Sequence, residues 1–174
     1  WHLVFMMLFI VGVITLTDQS SVHLFKNVFQ RLRPCHEPAL EGLVHLVHNK
    51  CGGQFGFISS HAANSFGVAL LVSLWLRNRA YTVVMLVWAL SIAYSRVYLG
   101  VHYPGDVLGG AIWGAACGWL VFYLYRWTAA KVPDRWWKKY EDRELPPPFP
   151  EKDAPYINHA RAALAMCENI DWNV

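Results

Sequence analysis

Two histidines, three cations and one aspartate carry most of the chemical potential of this 174-residue sequence. His102 and Asp106 lie four residues apart, about one helical turn. The carboxylate can therefore accept the N–H of one ring nitrogen and leave the other free to attack. His61 is a second imidazole, suited to giving a proton to a departing oxygen. Lys26, Arg33 and Arg96 together can neutralise a group bearing about two negative charges, and arginine forks match paired phosphate oxygens. Ser59, Ser60 and His61 open an apolar run, where free backbone N–H groups and the positive helix end favour an anion. These residue types suggest nucleophilic attack on phosphorus by one histidine while the other serves as acid.

Those groups are spread from Lys26 to Asp106, so helices must gather them. The sequence is 55% apolar and only 16% charged, against roughly 25% charged in an average soluble domain. Its first 131 residues hold only 9 basic and 4 acidic side chains. The net charge of +3 is small and no basic tract stands out, which excludes nucleic acid as a partner. Nine Trp, eight Tyr and nine Phe suit a protein that meets a membrane interface.

Four apolar stretches are candidates to cross a bilayer: Trp1 to Thr17, Ser60 to Leu76, Tyr81 to Gly100 and Asp106 to Tyr125. The expected fold is an all-α integral membrane helical bundle with an added amphipathic helix. The first stretch begins without Met or a basic flank and reads as a chain cut inside a helix. The amphipathic run Val22 to Leu32 should end near Arg33, because Pro34 cannot continue it. In that helix Lys26 and Arg33, seven apart, would share a face. Cys35 to Ile58 reads as loop with one short helix. After residue 131 the composition turns polar, giving a tail over 132–174 that is broken by Pro146-Pro147-Pro148-Phe149-Pro150, with a short helix at about Ala154 to Cys167. If the helices alternate in direction, the end of the first span, the start of the second, the end of the third and the start of the fourth share one side of the membrane. Every residue named above then converges there.

The spacing Lys26, Arg33-Pro34, then Ser59-x-His61, then Ser95-Arg96, His102 and Asp106 resembles the three-part signature of the type-2 phosphatidic acid phosphatase superfamily of lipid phosphatases. The resemblance implies that His102 is a nucleophile forming a phosphohistidine, Asp106 its orienting partner and His61 the general acid. Lys26, Arg33, Ser59 and Arg96 would hold the phosphate with the backbone at Ser60 helping. It implies no metal and no cofactor, and the sequence has no acidic cluster suited to Mg²⁺. The family core usually has six spans, so two would precede Trp1. The family also usually reads Pro-Ser-Gly-His where this chain reads Ile58-Ser59-Ser60-His61. A Ser in the Gly position either crowds the backbone's approach to phosphate or adds a donor.

Blander readings compete at each position. Lys26, Arg31 and Arg33 can snorkel from an interfacial helix, and His61 alone can be a buried core histidine. A lone Arg96 in an apolar run must pair with something. His36, His45 and His48 with Cys35 and Cys51 suggest zinc, but their spacing fits no compact ligand pattern. A Cys35–Cys51 disulfide fits better if the loop lies outside the cytoplasm. Gly110, Gly114 and Gly118 line one helix face for close packing, and Cys117 reads as packing. Trp136-Trp137-Lys138-Lys139 reads as an interfacial anchor.

Basic residues are denser on the side away from the site, with Arg77, Arg79, Arg126 and Lys131 followed by Arg135, Lys138, Lys139 and Arg143. The positive-inside rule then turns the site outward, to the periplasm of a bacterial inner membrane. The expected activity is metal-independent hydrolysis of a lipid phosphate or polyprenyl pyrophosphate, with polyprenyl pyrophosphate first by family analogy. The expected partners are the lipid phosphate and the bilayer. Lipid A phosphatase and lipid-to-lipid phosphotransferase are alternatives at the same site. A lipid-phosphate carrier or flippase would keep the cations but leave His102 and Asp106 without purpose. A vanadate haloperoxidase would resemble the site, but the apolar spans argue against it.

Overall fold

The computed structural model describes residues 2–47, 51–129 and 131, and all of these but Lys131 belong to one compact unit, Trp1–Ala130. His48 and Lys50, the Trp136–Lys139 anchor and the helix expected near Ala154 lie outside the described residues. Among the described residues, the regular secondary structure is helical apart from a single bridge pairing Leu32 with Phe55.

Helix α1 (His2–Ser20) does not stop where the first apolar stretch ends. It runs through a π-helical turn, Ser21–Lys26, into α2 (Asn27–Phe29). The amphipathic run expected as a separate helix to Arg33 is thus the end of the first membrane helix, whose apolar window covers Met6–Phe29. Gln30 closes it in the left-handed region at φ 46°. Arg33 is therefore not on the helix and cannot share a helical face with Lys26. It follows in extended backbone, φ −71° and ψ 156°.

The connection from Pro34 contains two short 3₁₀ turns, Pro34–His36 and Pro38–Leu40. Helix α3 (Ser60–Leu76) is capped by Ser59, whose Oγ accepts the Ala62 N–H at 3.5 Å. It ends at Arg77, in the left-handed region at φ 48°. Asn78 then caps α4 (Arg79–Tyr98), accepting from the N–H groups of Ala80 and Tyr81 at 2.9 and 3.3 Å. Helix α5 (Pro104–Ala129) starts on a proline, whose missing N–H costs nothing at a helix start.

Among the described residues, three helical segments, Met6–Phe29, Arg79–Tyr98 and Pro104–Ala129, are long and apolar enough to cross a membrane. The fourth expected span, α3, is shorter at 17 residues, about 26 Å at 1.5 Å per residue. It is also the inner helix, packing against α5, α4 and α1.

The α3–α5 contact is the closest in the bundle. A side chain at Gly114 would strike the Ala63 backbone, and one at Gly118 would strike the Gly67 carbonyl. Without a hydrophobic drive between helices in lipid, such backbone proximity supplies the association. Polar groups add to it: Thr17 Oγ1 bonds Asn64 Oδ1 at 2.6 Å, and Trp113 Nε1 donates to Ser20 Oγ at 2.8 Å. Val13, Leu71, Cys117 and Val121 form the buried core.

Candidate active site

Four helix ends build the site. Lys26 ends the π turn, Ser59 to His61 begin α3, Arg96 lies in the last turn of α4, and His102 with Asp106 flanks the start of α5. A backbone link joins two of these ends, since the Ser59 N–H donates to the Asp106 carbonyl at 2.9 Å.

Asp106 is fully buried. Its Oδ2 accepts the N–H of Tyr103 at 3.0 Å, a third-residue side chain reaching back to the residue before the helix. Its Oδ1 accepts from Arg31 Nη1 at 3.0 Å. His102, also buried, places Nδ1 3.6 Å from Asp106 Oδ2, longer than a hydrogen bond, and that nitrogen has no other partner among the described residues. The carboxylate is thus held from two sides and faces the ring.

Arg33 is gripped by backbone. Its own N–H donates to the Gln54 carbonyl at 3.1 Å, Nε to the Phe55 carbonyl at 3.2 Å and Nη1 to the Cys51 carbonyl at 3.1 Å. Cys35 and Cys51 form a disulfide, which fixes the segment supplying one of those carbonyls. The sulfurs of the zinc reading are therefore bonded to each other, although the ligand atoms of Cys35, His36 and Cys51 lie within 4.8 Å. Gly56 completes the fit, because a side chain there would press on both Arg33 and the Asp106 carboxylate.

The structure gathers the predicted set. The charges of Arg96, His102, Lys26 and Arg33 all act on His61, which is exposed at the opening of α3. Among the described residues, none of Lys26, Arg33 and Arg96 has a carboxylate within salt-bridge range, so an excess of positive charge faces His61. Arg96 is steadied by Ser95 Oγ, 3.1 Å from both Nε and Nη2. Burial lowers the pKa of His102, with Asp106 opposing and Arg33 reinforcing. A neutral imidazole, the form that can attack, is favoured. Burial also lowers that of Arg33, which Asp106 opposes.

Over residues 1–130 the chain matches the family profile described as PAP2 superfamily. The chain belongs to this superfamily. Among relatives of this PAP2 chain, the lipid A 4'-phosphatase of Bacteroides thetaiotaomicron is 40% identical over 120 residues, covering 68% of this chain and 53% of that protein. The lipid A 4'-phosphatase of Porphyromonas gingivalis is 39% identical over 137 residues, covering 72% and 57%. The chain thus spans about half the length of the curated relatives it matches. The crystal structure of a transmembrane PAP2 type phosphatidylglycerolphosphate phosphatase from Bacillus subtilis superposes with a TM-score of 0.55 at 27% identity, covering 72% of this chain and 60% of that one. With its apolar helices, this makes the PAP2 chain an all-α integral membrane protein.

Two residues of this PAP2 chain are not singled out by the sequence. Arg31 reads there as one more basic residue, yet it pairs with Asp106 and stands 4.3 Å over the Tyr103 ring. Its signal was its place two residues before Arg33: in extended backbone such neighbours project to one side. Ser21 gave no signal, since α-helical periodicity turns it away from Lys26.

Proposed function

We propose that this chain carries the catalytic site of a membrane phosphatase that removes a phosphate group from a phosphorylated lipid. One observation carries the reading: His102 Nδ1 faces a buried carboxylate at 3.6 Å while three cations without ion-pair partners among the described residues surround the second imidazole. A binding site needs the cations alone. A carboxylate set against the imidazole adds what binding does not need: it orients a histidine that must attack or carry a proton.

The mechanism follows from these placements. With Nδ1–H turned to Asp106, His102 Nε2 attacks phosphorus in line and forms an N–P bond while the P–O bond to the lipid breaks. His61 gives its proton to the departing oxygen. It then takes a proton from water, whose oxygen attacks the phosphohistidine, releases inorganic phosphate and restores both histidines. Lys26, Arg33 and Arg96 stabilise the charge on the transferring group, the dominant contribution in phosphoryl transfer.

Among substrates, a lipid A type phosphate now stands ahead of polyprenyl pyrophosphate, because the relatives at 40% and 39% identity bear the name lipid A 4'-phosphatase. The disulfide and the density of Arg77, Arg79 and Arg126 at the other helix ends support a site on the periplasmic side of a bacterial inner membrane.

The deciding experiment measures phosphate release from lipid A, polyprenyl pyrophosphate, phosphatidic acid and phosphatidylglycerol phosphate in detergent, with and without EDTA. Release that persists in EDTA is expected. Binding without release would favour a carrier. Label recovered on a second lipid would make the enzyme a phosphotransferase.

A further inference from the structure

Lys26, Ser60 and Ser21 form a continuous chain of short hydrogen bonds. Lys26 Nζ lies 2.6 Å from Ser60 Oγ, Ser60 Oγ lies 2.5 Å from Ser21 Oγ, and Ser21 Oγ lies 2.8 Å from the Asp18 carbonyl. Proton counting fixes its direction. An ammonium only donates and a carbonyl only accepts, so Ser60 accepts from Lys26 and Ser21 donates to Asp18. Each hydroxyl has one proton, hence Ser60 must donate to Ser21. Ser21 is fully buried and Ser60 is 7% exposed, so water is a poor substitute for either partner.

The backbone is bent to this purpose. In an α-helix, residues five apart point about 140° away from each other. Ser21 and Lys26 are the two ends of a π-helical turn, in which the Asn27 N–H bonds the Val22 carbonyl five residues back. That wide turn brings residues five apart onto one face, and π turns of this kind recur at functional sites. Without it, Ser21 and Lys26 cannot both reach Ser60.

We propose that Ser21 and Ser60 are positioning residues for Lys26. They fix its flexible stem with one N–H, leaving the other two ammonium protons for a phosphate oxygen. The hydroxyl at position 60 thus acts through Lys26. This deepens the phosphatase reading and rests on it.

The test measures kcat, KM and the affinity for inorganic phosphate by calorimetry, using the full chain. The variants are Ser60→Ala, Ser21→Ala, Lys26→Met and the two serine–lysine doubles. Ser60→Ala is expected to weaken kcat/KM and phosphate affinity about tenfold and Ser21→Ala about threefold, with kcat falling as well as KM rising. In the Lys26→Met background either serine change should add less than twofold. Equal losses with and without Lys26, or no loss in either single variant, overturn the proposal. If Ser60→Ala misfolds in a thermal melt, Ser21→Ala decides alone. A wild-type chain that binds inorganic phosphate but releases none from any lipid would sink the phosphatase reading, and calorimetry would still judge the positioning role. A wild-type chain that binds no phosphate would overturn both.

Discussion

Arg31 Nη1 lies 3.0 Å from Asp106 Oδ1, a contact bridging 75 positions of sequence. The carboxylate is fully buried while the Arg31 side chain is 46% exposed. The arginine therefore brings a charge from the aqueous edge to a fully buried acid.

Breaking this pair should disarm His102 without touching it. Losing one partner of a buried ion pair costs about 3–5 kcal/mol, and the half-exposed arginine puts this case at the lower end. Arg31→Ala should lower the melting temperature and reduce kcat about tenfold or more, with Arg31→Lys between it and wild type. Unchanged kcat and melting in the alanine variant would show the pair to be idle.

The two histidines should fail differently. Purified, folded His102→Ala should release no phosphate and retain no radiolabel after a denaturing alkaline quench, which preserves the acid-labile N–P bond, whereas wild type should yield labelled His102. His61→Ala should keep slow turnover, reduced about 10²–10⁴-fold, because only proton transfer is lost. Label on His61 would exchange the two roles.

Because burial holds the pKa of His102 below its usual 6.5, the acid limb of kcat/KM should lie below that pH. Activity should fall as pH drops through it. The Arg33 charge contributes to the depression and Asp106 opposes it. Arg33→Gln should move the limb to higher pH and Asp106→Asn to lower pH, whatever their absolute rates. Unfolded chains take up this proton first, so the same group costs stability as pH falls below about 6.5. Limbs that move together in the two variants would exclude His102 as the titrating group.

Reducing the Cys35–Cys51 bond should loosen the Arg33 cradle. The cross-link spans a sequence separation of 16, and closing a loop near that size is worth about 3 kcal/mol. The Cys51 carbonyl that holds Arg33 Nη1 would be freed with it. Cys35→Ser with Cys51→Ser, or wild type in dithiothreitol, should show a lower melting temperature and a KM raised several-fold. Identical KM values under oxidising and reducing conditions would count against any role in the site.

Membrane orientation is open to direct labelling. Glu41, in the site-side loop, and Ala80, at the opposite end of α3–α4, are both exposed. In a chain stripped of other reactive thiols, Glu41→Cys should react with an impermeant maleimide in intact cells and Ala80→Cys only after lysis. The reverse pattern would place the site in the cytoplasm.

Hydrophobic run length and motif spacing made much of this protein legible in its sequence: which segments are apolar enough to be candidate spans, and which residues, Lys26, His61, Arg96, His102 and Asp106, are candidates for a site at their ends. Both are local or periodic properties, and apolar surface has few ways to satisfy itself in lipid. Tertiary structure alone decided the rest. The first helix extends to Phe29 because a π turn absorbs one extra residue, a phase shift no hydrophobic period records. Arg31 finds Asp106, and Ser60 finds both Ser21 and Lys26, through hydrogen bonds across 75, 39 and 34 positions of sequence. Such pairings depend on how helix ends are set against one another within tenths of an ångström, and that is fixed by packing at Gly114 and its neighbours rather than by the character of any single residue.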